Sequence, residues 1–354
     1  MKEANIWEVI EKNKEKLSEK ILIHQYSQEK AIAKEISSEY KEKYLQDSIY
    51  NLTFLSSALS FNSINSFKKY MKWLSELMKN LGIPMDVMIK HFQSMEQVLI
   101  EELEGYNLEE LKKYINEGID VFEKNWVKNK IKIELEKFSP EVNLFVEYVI
   151  NFQRDKATDH IMKLLKDGTP IKKIYLEIFQ PALYQIGILW QTHKITVAKE
   201  HYATSVIQSI IGMMYPYLFK NDIRNGKVFV GVCSGGELHE IGLRMTADFF
   251  EMDGWDTHYL GANLPVEYSL EEIKKIKPDV LGISTTIIPN LPYARELIKK
   301  IRECPEISKI VIIVGGRVYN ESDDLWKEVG ADAYVADAQS AIKEANLLTM
   351  GKGK

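Results

Sequence analysis

Cysteine is scarce in this sequence of 354 residues, in which only Cys233 and Cys304 occur. Two isolated cysteines provide neither the disulfide framework of a small secreted domain nor a thiolate cage around a metal ion. This composition is typical of proteins that work in a reducing compartment. We therefore expect a cytoplasmic protein.

An excess of positive charge and long apolar runs are also missing. The 46 Lys and Arg residues are outnumbered by 51 Asp and Glu residues, which gives a net charge of −5. No overall positive field is therefore available to the phosphates of nucleic acids. No stretch approaches the roughly 18 apolar residues that a membrane helix needs. We expect neither a nucleic-acid partner nor a membrane partner.

Proline is rare in the first part of the chain, where Pro84 is the single proline of residues 1–137. Apolar residues recur there at intervals of three and four among Glu and Lys, a pattern that predicts packed helices. The length predicts two or three domains, at about 150 residues each. We interpret residues 1–137 as a helical sensory or dimerisation domain.

A second helical region is predicted over residues 138–222, where the spacing of apolar residues indicates a four-helix bundle. Pro181 lies inside one of its helices and is expected to kink it. The following helix has Thr196 as a candidate N-cap. Its periodicity predicts that Val206, Ile210, Met213 and Tyr217 face the core.

The sequence pattern changes over residues 223–350, where five short runs rich in β-branched residues alternate with predicted helices. The runs cover residues 228–232, 257–260, 280–284, 310–314 and 333–335. This alternation predicts a doubly wound, five-stranded parallel sheet of the flavodoxin-like or Rossmann-like type. The chain as a whole is predicted to be α + α/β, with a helical region, a bundle and then the sheet.

Ligands of an open parallel sheet bind beyond the carboxyl ends of its strands. Three predicted loops meet there, at residues 233–242, 284–286 and 315–316. The first loop carries an imidazole, His239, two residues after a carboxylate, Glu237. A histidine whose ring is fixed by an acid is a common metal-ligand arrangement. The alternative is a histidine that caps the next helix, beside a solvated acid in its first turn.

The glycines of the first loop also invite a nucleotide interpretation, because glycine lets a backbone approach phosphate at the start of a helix. The loop lacks a Gly-x-Gly-x-x-Gly pattern and a Gly-Lys-Ser/Thr ending, and no acid follows the second strand to hold a ribose. A dinucleotide or triphosphate site is therefore disfavoured.

Three motifs in order resemble the signature of cobalamin-binding domains. They are Glu237-Leu238-His239-x-x-Gly242, Ser284-x-Thr286 and Gly315-Gly316. The resemblance implies that His239 ligates cobalt from below after cobalamin's own base has left, with Glu237 as its hydrogen-bonded partner. It also implies that Leu238, Gly242, Ser284, Thr286, Gly315 and Gly316 contact the cofactor. The family usually has Asp where Glu237 stands, which is one methylene shorter.

A second pattern lies in the bundle, where nine residues separate Trp190 from the pair Glu200-His201. It resembles the motif of adenosylcobalamin-dependent photoreceptors, which implies that these three residues line the pocket of the upper cobalt ligand. Taken alone, the three could equally be a core aromatic residue and a solvated pair. The photoreceptors have a cobalt-binding histidine where Gln191 stands here, so a stable photoproduct with two histidine ligands is not expected.

The first helical region resembles the photocobilins more loosely, through Tyr50-Asn51-Leu52 and the segment 70–74. That resemblance implies a second chromophore, a bilin such as biliverdin. Both cysteines lie in the predicted sheet domain, so a bilin would be held without a covalent bond. A signalling or dimerisation module with no chromophore is the alternative.

These resemblances favour a non-enzymatic, cobalamin-binding light sensor that holds adenosylcobalamin between cap and sheet, signals to an unidentified downstream protein and forms a homo-oligomer. The alternative is a corrinoid protein that carries methyl groups in a methyltransferase system. Trp190 over the upper face would obstruct a carrier's partners, which favours the sensor. A radical mutase is disfavoured because the chain lacks a substrate barrel.

Overall fold

The computed structural model describes residues 5–27, 38–127, 138–218, 224–320 and 324–350. The chain divides into two compact units, residues 1–130 and residues 131–354. The domain boundaries predicted near residues 137 and 222 fall outside the described residues and stay predictions.

The described part of the first unit consists of five helices. They are α1 (Ile6–Ser27), α2 (Ser38–Ser60), α3 (Ile64–Asn80), α4 (Met85–Glu102) and α5 (Glu109–Val127). Large side chains such as Phe67, Phe92 and Phe122 are completely or almost completely buried among them. The region that the apolar periodicity marked as helical is therefore helical throughout its described part.

The core of the first unit also holds a chain of buried polar groups around His91. Asn51 Nδ2 donates to His91 Nε2 at 3.0 Å, and Tyr70 OH donates to Asn51 Oδ1 at 2.6 Å. On the other side of the ring, Nδ1 lies 2.7 Å from Tyr44 OH, which donates its own proton to Gln25 Oε1. Because that hydroxyl proton is engaged, Nδ1 carries the ring proton.

The second unit begins with a helical bundle whose elements match the predicted order. They are α6 (Pro140–Ile150), α7 (Arg154–Lys166), α8 (Ile171–Ile174), a π turn (Tyr175–Phe179), α9 (Gln180–Gln191), α10 (Val197–Met214) and a 3₁₀ turn (Tyr215–Tyr217). The π turn directly precedes Pro181, which lacks an N–H for the helical ladder, so the helix is interrupted where a kink was predicted. Thr196 caps α10 by accepting from Lys199 N at 3.3 Å.

Most of the inward face predicted for α10 is confirmed, and one residue of it is wrong. Val206 and Ile210 are buried, and Tyr217, in the 3₁₀ turn that follows, packs against the core. Met213 is instead 49% exposed, and its neighbour Met214 is buried. The two methionines are equally apolar, so the sequence periodicity alone did not separate them.

The second unit continues as a doubly wound sheet. The strands are β1 (Val228–Cys233), β2 (Asp256–Tyr259), β3 (Val280–Ser284), β4 (Val311–Gly315) and β5 (Ala333–Tyr334), and the helices around them are α11 (Ile241–Met252), α12 (Val266–Ile276), α13 (Leu291–Glu303), α14 (Arg317–Asn320), α15 (Leu325–Glu328) and α16 (Ala338–Thr349). A short 3₁₀ turn, Ile288–Asn290, precedes α13. All strand pairs are parallel, in the order β2-β1-β3-β4-β5. The predicted five-stranded sheet is confirmed, and its order reverses between β1 and β3.

The bundle and the sheet share one hydrophobic core, which joins residues such as Phe145, Phe179 and Phe249. Inside it, Tyr175 OH in the π turn donates to Asp248 Oδ2 in α11 at 2.7 Å. Burial raises the pKa of Asp248 to about 6, although Tyr175 and Arg244 oppose the change.

Among the residues that the structure describes, no helix is both long enough and apolar enough to cross a bilayer.

Candidate functional site

Three loops start side by side at the carboxyl edge of the sheet. Cys233, Ser284 and Gly315 are register partners on neighbouring strands. Backbone hydrogen bonds continue beyond the strands, from Ser234 N to Ser284 O at 3.0 Å and from Thr285 N to Gly315 O at 2.9 Å. The topological switch point therefore brings the three motifs together, as predicted.

The carboxylate of Glu237 lies at the centre of these loops and is fully buried. Its Oε1 accepts from His239 N at 2.9 Å and lies 2.5 Å from His239 Nδ1. Its Oε2 accepts from Thr286 N at 2.6 Å and from Asn290 Nδ2 at 3.1 Å. Glu237 is thus held by two loops, and the alternative of a solvated first-turn acid does not describe it.

The His239 side chain is 65% exposed although its partner is buried. The contact with Glu237 uses Nδ1, so Nε2 is the ring nitrogen that remains for a ligand. This division matches the way metal-binding histidines are fixed by a carboxylate on the other nitrogen.

The electrostatics of the pair agree with this geometry. The hydrogen bond to Glu237 raises the pKa of His239, although burial opposes it. Burial alone raises the pKa of Glu237, but the hydrogen bonds from His239 and Thr286 N–H outweigh it and hold that pKa below its usual value. The acid is therefore an ionised acceptor that increases the electron density of the ring.

Two motif glycines, Gly316 and Gly242, have different surroundings. Gly316 has φ +107°, and a Cβ there would lie 2.2 Å from Thr285 O, so only glycine fits between the β3 and β4 loops. Gly242 is exposed, and a Cβ added to it would meet nothing within 4 Å. The space above Gly242, beside the exposed ring of His239, is open to a flat ligand.

The remaining motif residues differ in exposure. Ser284 is buried at the end of β3, Thr286 is half-buried and offers its backbone N–H to Glu237, and Leu238 is exposed. A polar network that the motifs do not include supports them from below. In it Tyr319 OH donates to Thr285 Oγ1 at 3.4 Å, and Thr285 Oγ1 donates to Ser234 Oγ at 3.1 Å.

The residues predicted for the upper pocket lie at one end of the bundle. Trp190 is half-buried near the end of α9 and packs against the bundle core. In the first turns of α10, Glu200 Oε2 lies 2.5 Å from His201 Nδ1, and the His201 side chain is 75% exposed. The charge of Glu200 raises the pKa of His239, so this carboxylate is within electrostatic reach of the lower loop.

Sequence reasoning missed Asn290, which fixes Glu237, and Glu240, which joins the loop to the bundle. Gln208 Nε2 donates to Glu240 Oε1 at 2.8 Å, and Tyr259 OH donates to Glu240 Oε2 at 2.7 Å. No local pattern marks these partners, because each is distant in sequence. The one available signal for Glu240 was its place directly after His239.

The loops carry groups that would suit the cofactor that the motifs imply. The exposed imidazole of His239, fixed through Nδ1, would hold the metal, and the open surface at Gly242 would leave room for a large ligand. The residues present therefore fit a cobalamin.

Comparison with known proteins agrees with the geometry. Two family models, each described as a B12 binding domain, match residues 227–346 and residues 142–215. Both segments belong to B12 binding domains. The matched segments of this cobalamin-binding chain cover the sheet and the bundle, so the predictions of cobalamin as ligand and of a Rossmann-like domain are confirmed.

Its relatives include corrinoid proteins of two Methanosarcina species. Dimethylamine corrinoid protein 3 of Methanosarcina acetivorans is 22% identical over 203 residues, which cover 57% of this chain and 93% of the relative. Dimethylamine corrinoid protein 1 of Methanosarcina mazei is 24% identical over 170 residues, 48% of this chain and 77% of the relative. These names favour the methyl-carrier alternative over the light sensor.

A solved structure shares the fold. The monomethylamine corrinoid protein of Methanosarcina barkeri superposes with a TM-score of 0.52 at 20% identity, over 60% of this chain and 98% of that one. The adenosyl group, biliverdin and the roles of individual residues stay predictions.

Proposed function

We propose that the protein is a corrinoid carrier of methyl groups that works with a methyltransferase. The observation that carries the proposal is the Glu237–His239 pair, a fully buried carboxylate fixed to an exposed imidazole in a chain related to corrinoid proteins. A bound cobalamin supplies a cobalt atom that accepts a methyl group from one partner and gives it to another.

His239 Nε2 is the lower ligand in this proposal. Glu237 keeps the proton of the ring on Nδ1, which leaves the Nε2 lone pair for the metal. Thr286 N–H and Asn290 hold Glu237 so that the ring is set before the cofactor arrives. A ring fixed in advance loses less entropy on binding than a free one.

The remaining motif residues would contact other parts of the cofactor. In the loop that carries His239, Gly242 would leave room for the macrocycle, and the exposed Leu238 would contact it. Ser284, Thr286, Gly315 and Gly316 would contact the tail at the carboxyl edge of β3 and β4. Each assignment rests on the position of the residue at the carboxyl edge of the sheet.

The methyl donor is proposed to be a small methylated amine, since relatives are named for dimethylamine. Such a donor reaches cobalt only through a partner enzyme, so the partner of this chain is a protein that docks on the upper face. Glu200 and His201, in the first turns of α10, would contact that partner.

A light sensor is the second candidate, and one observation favours it. Trp190 ends α9, and Glu200–His201 opens α10, so the pattern predicted for an adenosylcobalamin pocket lies at one end of the bundle. In that proposal adenosylcobalamin is native, biliverdin occupies the first unit, the chain forms a homo-oligomer, and a downstream protein receives the signal.

Binding of three cobalamins distinguishes the two candidates. We would titrate the full chain in the dark with aquocobalamin, methylcobalamin and adenosylcobalamin, then illuminate each complex and follow its absorption spectrum and oligomeric state. A carrier binds the methyl form at least as tightly as the adenosyl form, and its photolysis follows that of free cofactor. A strong preference for adenosylcobalamin, with a change of oligomeric state in light, would overturn the carrier proposal.

A further inference from the structure

Glu240, the residue after His239, joins three parts of the second unit. It stands where the loop ends and α11 begins. Its carboxylate accepts from Gln208 of α10 on one oxygen and from Tyr259 of β2 on the other. One side chain therefore ties the bundle, the histidine loop and the sheet together.

This contact differs from a second polar contact between bundle and sheet, that of Tyr175 with Asp248. Tyr175 and Asp248 meet inside the shared core, where separating them would leave two buried polar groups without partners. Gln208 and Glu240 are half-buried, so water can replace each partner at a small cost in free energy. The Gln208 contact is the one that can open while the core contact holds.

The face of α10 that carries Gln208 also looks toward His239. Glu200, Thr204 and Gln208 are spaced four residues apart and lie on one side of the helix. Thr204 Oγ1 donates to Glu200 Oε1 at 3.0 Å, and the charge of Glu200 reaches the imidazole of His239. Movement of this face of α10 would therefore change the surroundings of His239. The hydrogen bond from Gln208 to Glu240 connects the face to the loop that carries His239.

We propose that Glu240 is a positioning residue that couples the docking of α10 to the lower cobalt ligand. While Gln208 is bonded to Glu240, the loop is held in the geometry that presents His239. When α10 moves away to admit a partner to the upper face, the loop loses one of its two anchors and the imidazole is held less firmly. This inference rests on the proposed role of His239 as the lower ligand.

A pair of substitutions tests the coupling. Gln208→Glu keeps the size of the side chain but places a second carboxylate against Glu240. Adding Glu240→Gln exchanges the amide and the carboxylate, so the new amide donates to position 208 and its carbonyl still accepts from Tyr259. Ser209→Ala, at an exposed neighbouring position of α10, is the matched control.

Two measurements are made on the full chain loaded with aquocobalamin and reduced to Co(II). With 15N-labelled histidine in the protein, the nitrogen splitting in the electron paramagnetic resonance spectrum is a doublet for a histidine ligand and a triplet for the cofactor's own base. It therefore gives the fraction of cobalt bound to imidazole, and hydrogen exchange reports the opening of α10. Gln208→Glu should lower the bound fraction and speed exchange roughly tenfold, since the lost hydrogen bond involves a charged acceptor. The double substitution should restore both values, and Ser209→Ala should change neither.

An unchanged imidazole-bound fraction in Gln208→Glu, or a loss that the double substitution leaves in place, would overturn the coupling. If Gln208→Glu does not fold, Tyr259→Phe releases the other side of Glu240 without adding charge, and it must lower the same fraction. A wild-type spectrum without the histidine doublet would instead contradict the proposed role of His239, whatever the variants show.

Discussion

His91 and His239 show two opposite ways of placing an imidazole. In the first unit, His91 is 4% exposed, and both of its ring nitrogens are hydrogen-bonded to neutral groups, Asn51 and Tyr44. In the second unit, the His239 side chain is 65% exposed, and its described contact is to a buried carboxylate through one nitrogen. The first ring has no nitrogen left for a ligand, whereas the second presents Nε2.

The difference also appears in the pKa values of the two rings. Burial lowers the pKa of His91 to about 4, whereas the hydrogen bond to Glu237 raises the pKa of His239 above its usual value. Burial with neutral partners keeps an imidazole uncharged, and a carboxylate partner makes it electron-rich. A buried histidine in a helical unit is thus a structural group, and an exposed one fixed by a buried acid is suited to a metal.

The largest expected effect on cobalamin affinity comes from removing the imidazole of His239. His239→Ala should weaken cobalamin binding by more than about 100-fold, because it deletes the axial ligand itself. Absorbance titration with aquocobalamin measures the change. His201→Ala, which removes an exposed imidazole also paired with an acid, is the matched control, and a similar loss in both variants would contradict the assignment.

Acid should act on the two rings in opposite directions. Because the pKa of His91 is about 4 when folded and 6.5 ordinarily, the stability that its neutral form contributes is present above pH 6.5 and is lost as the pH falls toward 4. The first unit should lose about 3 kcal/mol through this group between pH 7 and pH 4. The contribution of His239, whose pKa is raised, is instead lost as the pH rises.

The acid effect on the first unit is measured by hydrogen exchange of α2 amides in the wild type and in His91→Gln. The substitution keeps a donor and an acceptor but removes the titrating ring. The difference in stability between the two proteins should therefore shrink as the pH falls. An unchanged difference at pH 7 and pH 4 would show that His91 does not titrate in this range.

A smaller effect on cobalamin affinity is expected from Glu237, the carboxylate that is hydrogen-bonded to His239. Glu237→Gln keeps the shape but removes the charge, and its amide cannot accept at both ends. Cobalamin affinity should fall by about tenfold, the lower end for a partner of a metal-binding histidine. Glu200→Gln, which leaves the lower loop intact, should change the affinity less than twofold, at about the noise of the titration. An equal loss of affinity in Glu237→Gln and Glu200→Gln would show that the effect comes from the overall negative charge near the site and not from the hydrogen bond to His239.

The smallest effect tests the satisfied network of the first unit. Tyr70→Phe removes the hydroxyl that donates to Asn51 Oδ1 and leaves that buried oxygen without its partner, which should cost about 1 to 2 kcal/mol of unfolding free energy. Urea denaturation measures it, with the exposed Tyr50→Phe as control. Cobalamin binding should not change in either variant.

Local sequence patterns predicted much of the structure of the second unit. The β-branched runs marked all five strands to within one residue at each end, and parallel topology alone brought residues 233–242 beside residues 284–286. The pair Glu237 and His239 was visible because the two residues are close in sequence. Its geometry, a buried carboxylate beside an exposed ring, required the packed loops.

What could not be predicted depends on contacts between distant residues. Asn290 is 53 positions from its partner Glu237, and Gln208 is 32 positions from its partner Glu240. No periodicity or local spacing in the sequence predicts these two hydrogen bonds. The exposure of Met213 was missed for a related reason, since Met213 and Met214 are equally apolar and only packing decides which of them is buried. Family resemblance likewise identified the cofactor but gave too much weight to Trp190 in choosing among functions.

The π turn at Tyr175–Phe179 has a consequence for the angular arrangement of the bundle. A π turn accommodates about one more residue than an α turn, and each residue of a helix advances the side chains by about 100°. The half of the helix after the turn is therefore out of phase with the half before it. The extra residue is taken up within this one turn, so the end of α9 keeps the direction that a regular helix one residue shorter would give it. A single-residue deletion in the turn should therefore restore a regular α turn and leave Trp190 in its present direction, whereas a deletion later in α9 would rotate it.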